Sequence, residues 1–115
     1  MTITEFLLAR IAEDEATASN VSRFEIRDGI PGNYAITARV LAECEAKRRI
    51  VDEHGELVLA PDRGARAYTG ECRTCAVNEE ADYDGAPSVL LPCPTLRLLA
   101  LPYAGHSDCR EEWRP

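Results

Sequence analysis

The stretch YAITARVLAECEAKRRIVDEH, residues 34–54, decides the fold class. Wound at 3.6 residues per turn, it sets Ile36, Val40, Leu41, Cys44, Arg48 and Val51 on or beside one face, with alanines filling the gaps. Ala46-Lys47-Arg48-Arg49 sits late in the segment, where cations meet the negative end of the helix macrodipole. Gly55 then supplies a stop. A helix over about 34–54 follows, the strongest in the chain, and Cys44 on its apolar face reads as core rather than as a nucleophile.

Towards the N-terminus, Thr2 and Glu5 have the spacing of a capping box, in which each side chain satisfies a free backbone N–H at a helix start. Ile3, Phe6, Leu7, Leu8 and Ile11 recur at helical spacing, and Glu13-Asp14-Glu15 falls on the solvated side. This predicts a helix over about 3–19, ended by Asn20. Val21 to Ile26 alternates apolar and polar, which predicts a short strand, and Asp28-Gly29-Ile30-Pro31-Gly32-Asn33 marks a turn.

Beyond residue 55 the periodicity dissolves as far as Leu91, with Leu57-Val58-Leu59 as one candidate strand and Pro61, Gly64, Gly70, Gly85 and Pro87 as breakers. So long a loop inside a compact domain needs something to tie it down. Pro92-Cys93-Pro94-Thr95 opens a third helix over about 94–102, with Pro94 suited to the first helical position. Leu96, Leu99 and Ala100 form its core stripe, Leu98 and Leu101 widen it, and Pro102 ends it. The polar tail 105–115 carries one aromatic, Trp113, placed to clamp it onto the body. The expected architecture is mostly α: a single domain over 1–115, small and helical, of about three helices, with a long metal-tethered loop over 56–91 and room for one short β-hairpin.

Composition bounds the function. At 115 residues the chain suits one domain, able to bury roughly two thirds of its unfolded surface. A net charge of −7 sets the long-range field against phosphate backbones and anionic lipid. The opening Met1 to Leu8 has no basic n-region, and no window reaches the roughly 18 apolar residues of a membrane span, so a cytoplasmic location without membrane contact is expected. Five cysteines, an odd number, in a reducing compartment argue for metal ligation or plain burial over a disulfide framework.

Cys72-Arg73-Thr74-Cys75 is a C-x-x-C, a spacing that lets two thiolates chelate one tetrahedral ion from a single turn. Seventeen residues separate Cys75 from Cys93, at the start of the third helix, and seventeen separate His54, at the end of the second, from Cys72. The candidate ligand set is His54, Cys72, Cys75 and Cys93, a complement that Zn2+ accepts in a closed structural site. His106 or Cys109 are alternatives to His54 as the fourth ligand. The bland readings compete: a cysteine pair incidental to a loop, Cys93 as a small buried hydrophobe, and His54 as a C-terminal helix cap.

The stretch Glu45 to His54, the segment Pro92-Cys93-Pro94-Thr95-Leu96-Arg97 with Leu99 to Ala104, the ending Glu111-Glu112-Trp113-Arg114-Pro115, and Ala12 to Ala16 in the first helix together resemble an uncharacterised family of small proteins from actinobacteria and their phages, a domain of unknown function. The resemblance covers about half the chain. It implies that His54, the Cys72 and Cys75 pair and Cys93 match positions where members often carry a histidine after the second helix, a cysteine pair, and a Pro-Cys before the third. Here the interval from Cys75 to Cys93 is longer than in that pattern. Gly105, Ser107 and Cys109 stand where Asp, Pro and Tyr are more usual.

An enzyme is the less favoured reading without being excluded, because nucleophilic catalysis needs a base and both histidines have other roles open to them. The favoured reading is a non-enzymatic, zinc-stabilised adaptor or small regulatory protein, of phage or mobile-element origin, that presents a helical face or its tail, through Trp113 and Arg114, to a protein partner. The alternative is a nucleic-acid-associated zinc module using Lys47, Arg48, Arg49, Arg63 and Arg66, although neighbouring acids dilute that patch. A weaker alternative is a thiol or redox enzyme centred on the C-x-x-C. Its signature is a depressed thiol pKa at one of the pair, and its flanks lack the strand-then-helix setting of thioredoxin-like chemistry.

Overall fold

In the computed structural model, residues 1–28, 34–58, 68–75 and 89–115 are described. The chain is mostly helical. Helix α1 spans Ile3–Asp28, α2 Tyr34–Glu53 and α3 Pro94–Ala100, the last running directly into a 3₁₀ turn at Leu101–Tyr103. A second 3₁₀ turn covers Glu111–Trp113, and strands β1, Glu56–Val58, and β2, Tyr68–Cys72, lie between α2 and α3.

The capping box forms as its spacing predicts: the Thr2 N–H donates to Glu5 Oε2 at 3.1 Å and the Glu5 N–H to Thr2 Oγ1 at 3.2 Å. From there α1 continues nine residues past the expected end at 19, through Asn20, and the predicted strand over Val21 to Ile26 is helix. The reason is tertiary. Ile3, Phe6, Leu7, Arg10, Ile11 and Ala18 form a buried stripe along α1. Val21, a further three-residue step along, is exposed at the rim of a shallow cleft that it lines with Ala18, Thr37 and Val40. A six-residue alternation fits helix as well as strand, and packing along a partner helix overrides weak local preference. The turn residues 29–33 lie outside the described residues.

On α2 the buried positions are Thr37, Cys44 and Val51, with Val40 packed beside them. Ile36, expected on the core face, is 52% exposed; the stripe begins one residue later, at Thr37, so Ile36 is turned to the flank. A bidentate pair joins the two long helices, Arg48 Nε and Nη2 each donating at 2.7 Å to a carboxylate oxygen of Glu15. That guanidinium holds the Glu15 carboxyl below its ordinary value. Two bonds in a fixed fork set the register of the hairpin more than they stabilise it at so exposed a site.

Strands β1 and β2 pair antiparallel, Glu56 facing Cys72 and Val58 facing Tyr68. The surplus lies in β2, where Gly70 has φ of +71°, a conformation costly for any residue with a Cβ. The chain before α3 adds to the other edge of β2: the Cys72 N–H donates to the Val89 carbonyl at 2.7 Å and the Leu91 N–H to the Gly70 carbonyl at 2.8 Å. The strand predicted at 57–59 begins one residue earlier, at Glu56, and its Leu59 lies outside the described residues with the rest of 59–67 and 76–88 of the long loop.

The core gathers around Phe6, whose ring lies 5.2 Å from that of Trp113, 5.8 Å from His106 and 6.4 Å from Tyr103. Leu7, Ile11, Val51, Cys72, Cys93, Leu96 and Ala100 complete it. The expected widening of α3's stripe fails, since Leu98 and Leu101 are more than half exposed. A seven-residue helix lays down one stripe, here Leu96 and Ala100 following Cys93, and its other side faces out. No helix among the described residues is long and apolar enough to cross a membrane.

Phe6→Ala is expected to cost about 3 to 5 kcal/mol, because it removes a ring from the centre of this cluster. Leu98→Ala should stay within about 0.5 kcal/mol. Denaturant unfolding of the two variants checks the assignment, and comparable losses would contradict it.

Candidate metal centre

Three pieces of chain meet where α2 ends. His54 follows directly on α2, its N–H still bonded to the Ile50 carbonyl at 3.0 Å, so the helix sets the direction of its imidazole. Cys72 closes β2 and is fully buried; Cys75, one turn on, is half-buried. Cys93 is fully buried at the N-cap of α3, with extended backbone (φ −69°, ψ 163°) and Pro94 behind it. The hairpin, α2 and α3 each contribute to one point.

At that point Nδ1 of His54 lies 3.4 Å from Cys72 Sγ, 3.5 Å from Cys75 Sγ and 3.6 Å from Cys93 Sγ. All four atoms lie within 4.8 Å of one another. An imidazole nitrogen has one lone pair or one hydrogen, so it can satisfy one thiol and not three. A tetrahedral ion bonded at about 2.3 Å to sulfur and 2.05 Å to nitrogen puts the nitrogen about 3.6 Å from each sulfur and the sulfurs about 3.8 Å apart. The nitrogen-to-sulfur edges have that length.

The electrostatics point the same way. Burial is the largest influence on Cys72 and pushes its thiol up, yet the Cys75 and Thr74 amides and the neighbouring thiols donate towards its sulfur and bring it below the ordinary value. The Cys75 N–H stands 3.4 Å from that sulfur. Cys75 is pushed up to about 12, by burial first and then by Cys72 and Cys93. The two thiols of the turn are thus driven in opposite directions, Cys72 towards the thiolate and Cys75 away from it. A divalent cation at the centre would hold all three as thiolates. The residues present fit such an ion, and the cluster is compatible with a bound metal.

The turn between the cysteines is fastened to α2 by bonds that involve no ligand atom. The Arg73 N–H donates to the Gly55 carbonyl at 2.8 Å, the Arg73 guanidinium to the Asp52 carbonyl and the Thr74 hydroxyl to the Glu53 carbonyl. The Glu53 carbonyl is one that a helix C-terminus otherwise leaves open, while the Asp52 carbonyl also accepts the Gly55 N–H at 3.3 Å. Spacing alone gives no sign of this, because the relevant property is where the two intervening side chains reach.

The other candidates lie elsewhere. His106 packs edge-on against Phe6, its Nδ1 accepting the Asp108 N–H at 3.0 Å, and Cys109 has its sulfur near the Arg110 carbonyl. Among the described residues the fourth member of the cluster is His54. Trp113 is 4% exposed, its ring engaged with Phe6 and covered by the Arg110 guanidinium at 5.3 Å, so the folded domain offers no indole face to a partner. Arg114 is exposed and paired with Glu111 at 3.1 Å. Cys44 is buried, and burial followed by Asp14 and Glu15 raises its thiol, the condition of a core cysteine. Of the basic residues, Arg49 pairs with Glu45 at 2.8 Å, Arg48 with Glu15, and Lys47 lies over the Tyr103 ring at 5.7 Å. Arg63 and Arg66 lie outside the described residues.

No curated protein and no solved structure matches the chain. A family model does, over residues 1–115, described as a family of unknown function (DUF6221). The match spans the entire sequence, cysteine cluster included, and the chain belongs to that family.

Proposed function

We propose that His54, Cys72, Cys75 and Cys93 hold one structural Zn2+, and that the domain is a non-enzymatic, metal-stapled adaptor or small regulatory protein. The observation that carries this reading is the convergence of three sulfurs on one imidazole nitrogen at near-equal distances. Zinc suits a sulfur-rich, four-coordinate set without demanding a geometry of its own. Four protein ligands leave no open position for substrate, and Cys72 and Cys93 are fully buried, so the arrangement favours structure over catalysis. Metal binding on the order of 10 kcal/mol, linked to folding, would outweigh the ordering cost of the chain it joins.

A second reading has one observation in its favour. The lowered thiol of Cys72 is the signature that thiol chemistry calls for. Its complete burial favours a ligand instead, because a nucleophile must reach its substrate. For a partner, the support passes from the tail to α3, whose Leu98 stands 59% exposed in a groove of about 620 Å³ lined also by Leu90, Pro92, Pro94 and Pro115, with Leu101, 52% exposed, in the 3₁₀ turn that follows. Exposed apolar residues grouped in this way are typical of protein contact surfaces.

The purified protein is expected to contain one zinc per chain by elemental analysis and to lose helical circular dichroism on chelation. His54→Ala and Cys75→Ser should abolish stoichiometric zinc, whereas His106→Ala and Cys109→Ser should retain it; zinc in none of these proteins would overturn the reading. Brief iodoacetamide treatment of the same preparation distinguishes the thiol alternative. Labelling confined to Cys109 agrees with a ligand role, and preferential labelling of Cys72 supports the nucleophile. Leu98→Asp should leave folding intact and abolish co-purification of any partner that the unaltered protein retains, and undiminished recovery would rule out the α3 surface.

A further inference from the structure

The two residues inside the C-x-x-C are tied to the helix that carries the fourth ligand. Three donors from Arg73 and Thr74, a backbone N–H, a guanidinium and a hydroxyl, reach three carbonyls, those of Asp52 and Glu53 in the last turn of α2 and that of Gly55 just beyond it. None of these bonds involves a sulfur, the imidazole or an ion. The approach at this end of α2 is close: a Cβ on Gly55 would come within 3.3 Å of the Asp52 carbonyl and 3.7 Å of the Arg73 guanidinium. The turn and the helix end thus fix the separation of Cys72 and Cys75 from His54 through bonds of their own.

We propose that Arg73 and Thr74 are positioning residues that set the metal affinity of the centre, by holding three of its four ligands in place before an ion arrives. The inference rests on the metal reading given above and adds to it the determinant of affinity. Donors already held together lose less freedom on binding than donors gathered from loose chain. Outer partners that orient metal ligands typically change affinity ten- to a hundredfold when removed. Arg73 and Thr74 act here through the backbone that carries the ligands.

The test is a zinc competition titration on the full chain, comparing the unaltered protein with the double variant Arg73→Ala, Thr74→Val. The double variant is expected to bind about ten- to a hundredfold more weakly at an unchanged stoichiometry of one. Cobalt substitution should still give the intense absorption of a tetrahedral thiolate site, because all four ligands remain. The pair Arg73→Lys, Thr74→Ser keeps the donors and should stay within about threefold of the unaltered protein. Arg48→Ala breaks the pair with Glu15, away from the centre, and serves as the control for lost stability; it too should stay within about threefold. Affinity in the double variant within about twofold of the unaltered protein would overturn the proposal, and so would an equal loss in Arg48→Ala. An unaltered chain that takes up no zinc overturns the metal reading and this inference with it.

Discussion

Three thiols and one imidazole nitrogen converge on a single point, and a nitrogen lone pair cannot satisfy three sulfurs. The architecture around that point follows from where its members are attached. His54 hangs from the last turn of α2, Cys72 and Cys75 from the end of the hairpin, and Cys93 from the residue that starts α3. The convergence gathers the two-stranded ladder and the seven-residue helix at the end of α2, beside the Arg73 and Thr74 bonds and the burial of Leu96 and Ala100. Two-stranded hairpins and helices of this length are marginal alone. The cluster therefore occupies the place in the fold where a larger protein would have more core.

The opposite side of the same core is held by different chemistry. Phe6, in the second turn of α1, collects Trp113, Tyr103 and His106 around its ring. The Tyr103 hydroxyl donates to Asp14 at 2.6 Å, which fastens the 3₁₀ turn after α3 onto α1. Burial, followed by that bond and the charge of Asp14, pushes the Tyr103 phenol well above its ordinary value. The neutral ring is the form this position accommodates. The C-terminal segment is thus folded back as part of the body, which is why Trp113 serves packing.

Much of this is legible in the residues themselves, for definable reasons. The capping box at Thr2 and Glu5 and the helix over 34–53 rest on local rules, and both form. The clustering of His54, Cys72, Cys75 and Cys93 is readable because the residue types and spacings are those that metal chelation would require. What spacing leaves open is which partner a side chain finds. Val21 to Ile26 alternates like a strand but continues α1 beside α2; Thr37 takes the buried place that Ile36 is better suited to fill; Leu98 and Leu101 face outward because α3 has room to bury one stripe. His106 and Cys109 are chemically adequate ligands, and only their attachment beside Phe6 and Arg110 separates them from the centre. The fastening role of Arg73 and Thr74 is of the same kind, since nothing about an arginine and a threonine announces a helix end within reach.

X-ray absorption at the zinc edge of the purified protein tests most directly whether these four residues share one ion. The expected nearest neighbours are three sulfurs at about 2.3 Å and one nitrogen at about 2.0 to 2.1 Å, with the outer scattering of a single imidazole. A shell dominated by oxygen, or one with fewer than three sulfurs, would contradict it and return the cysteines to the core as ordinary thiols.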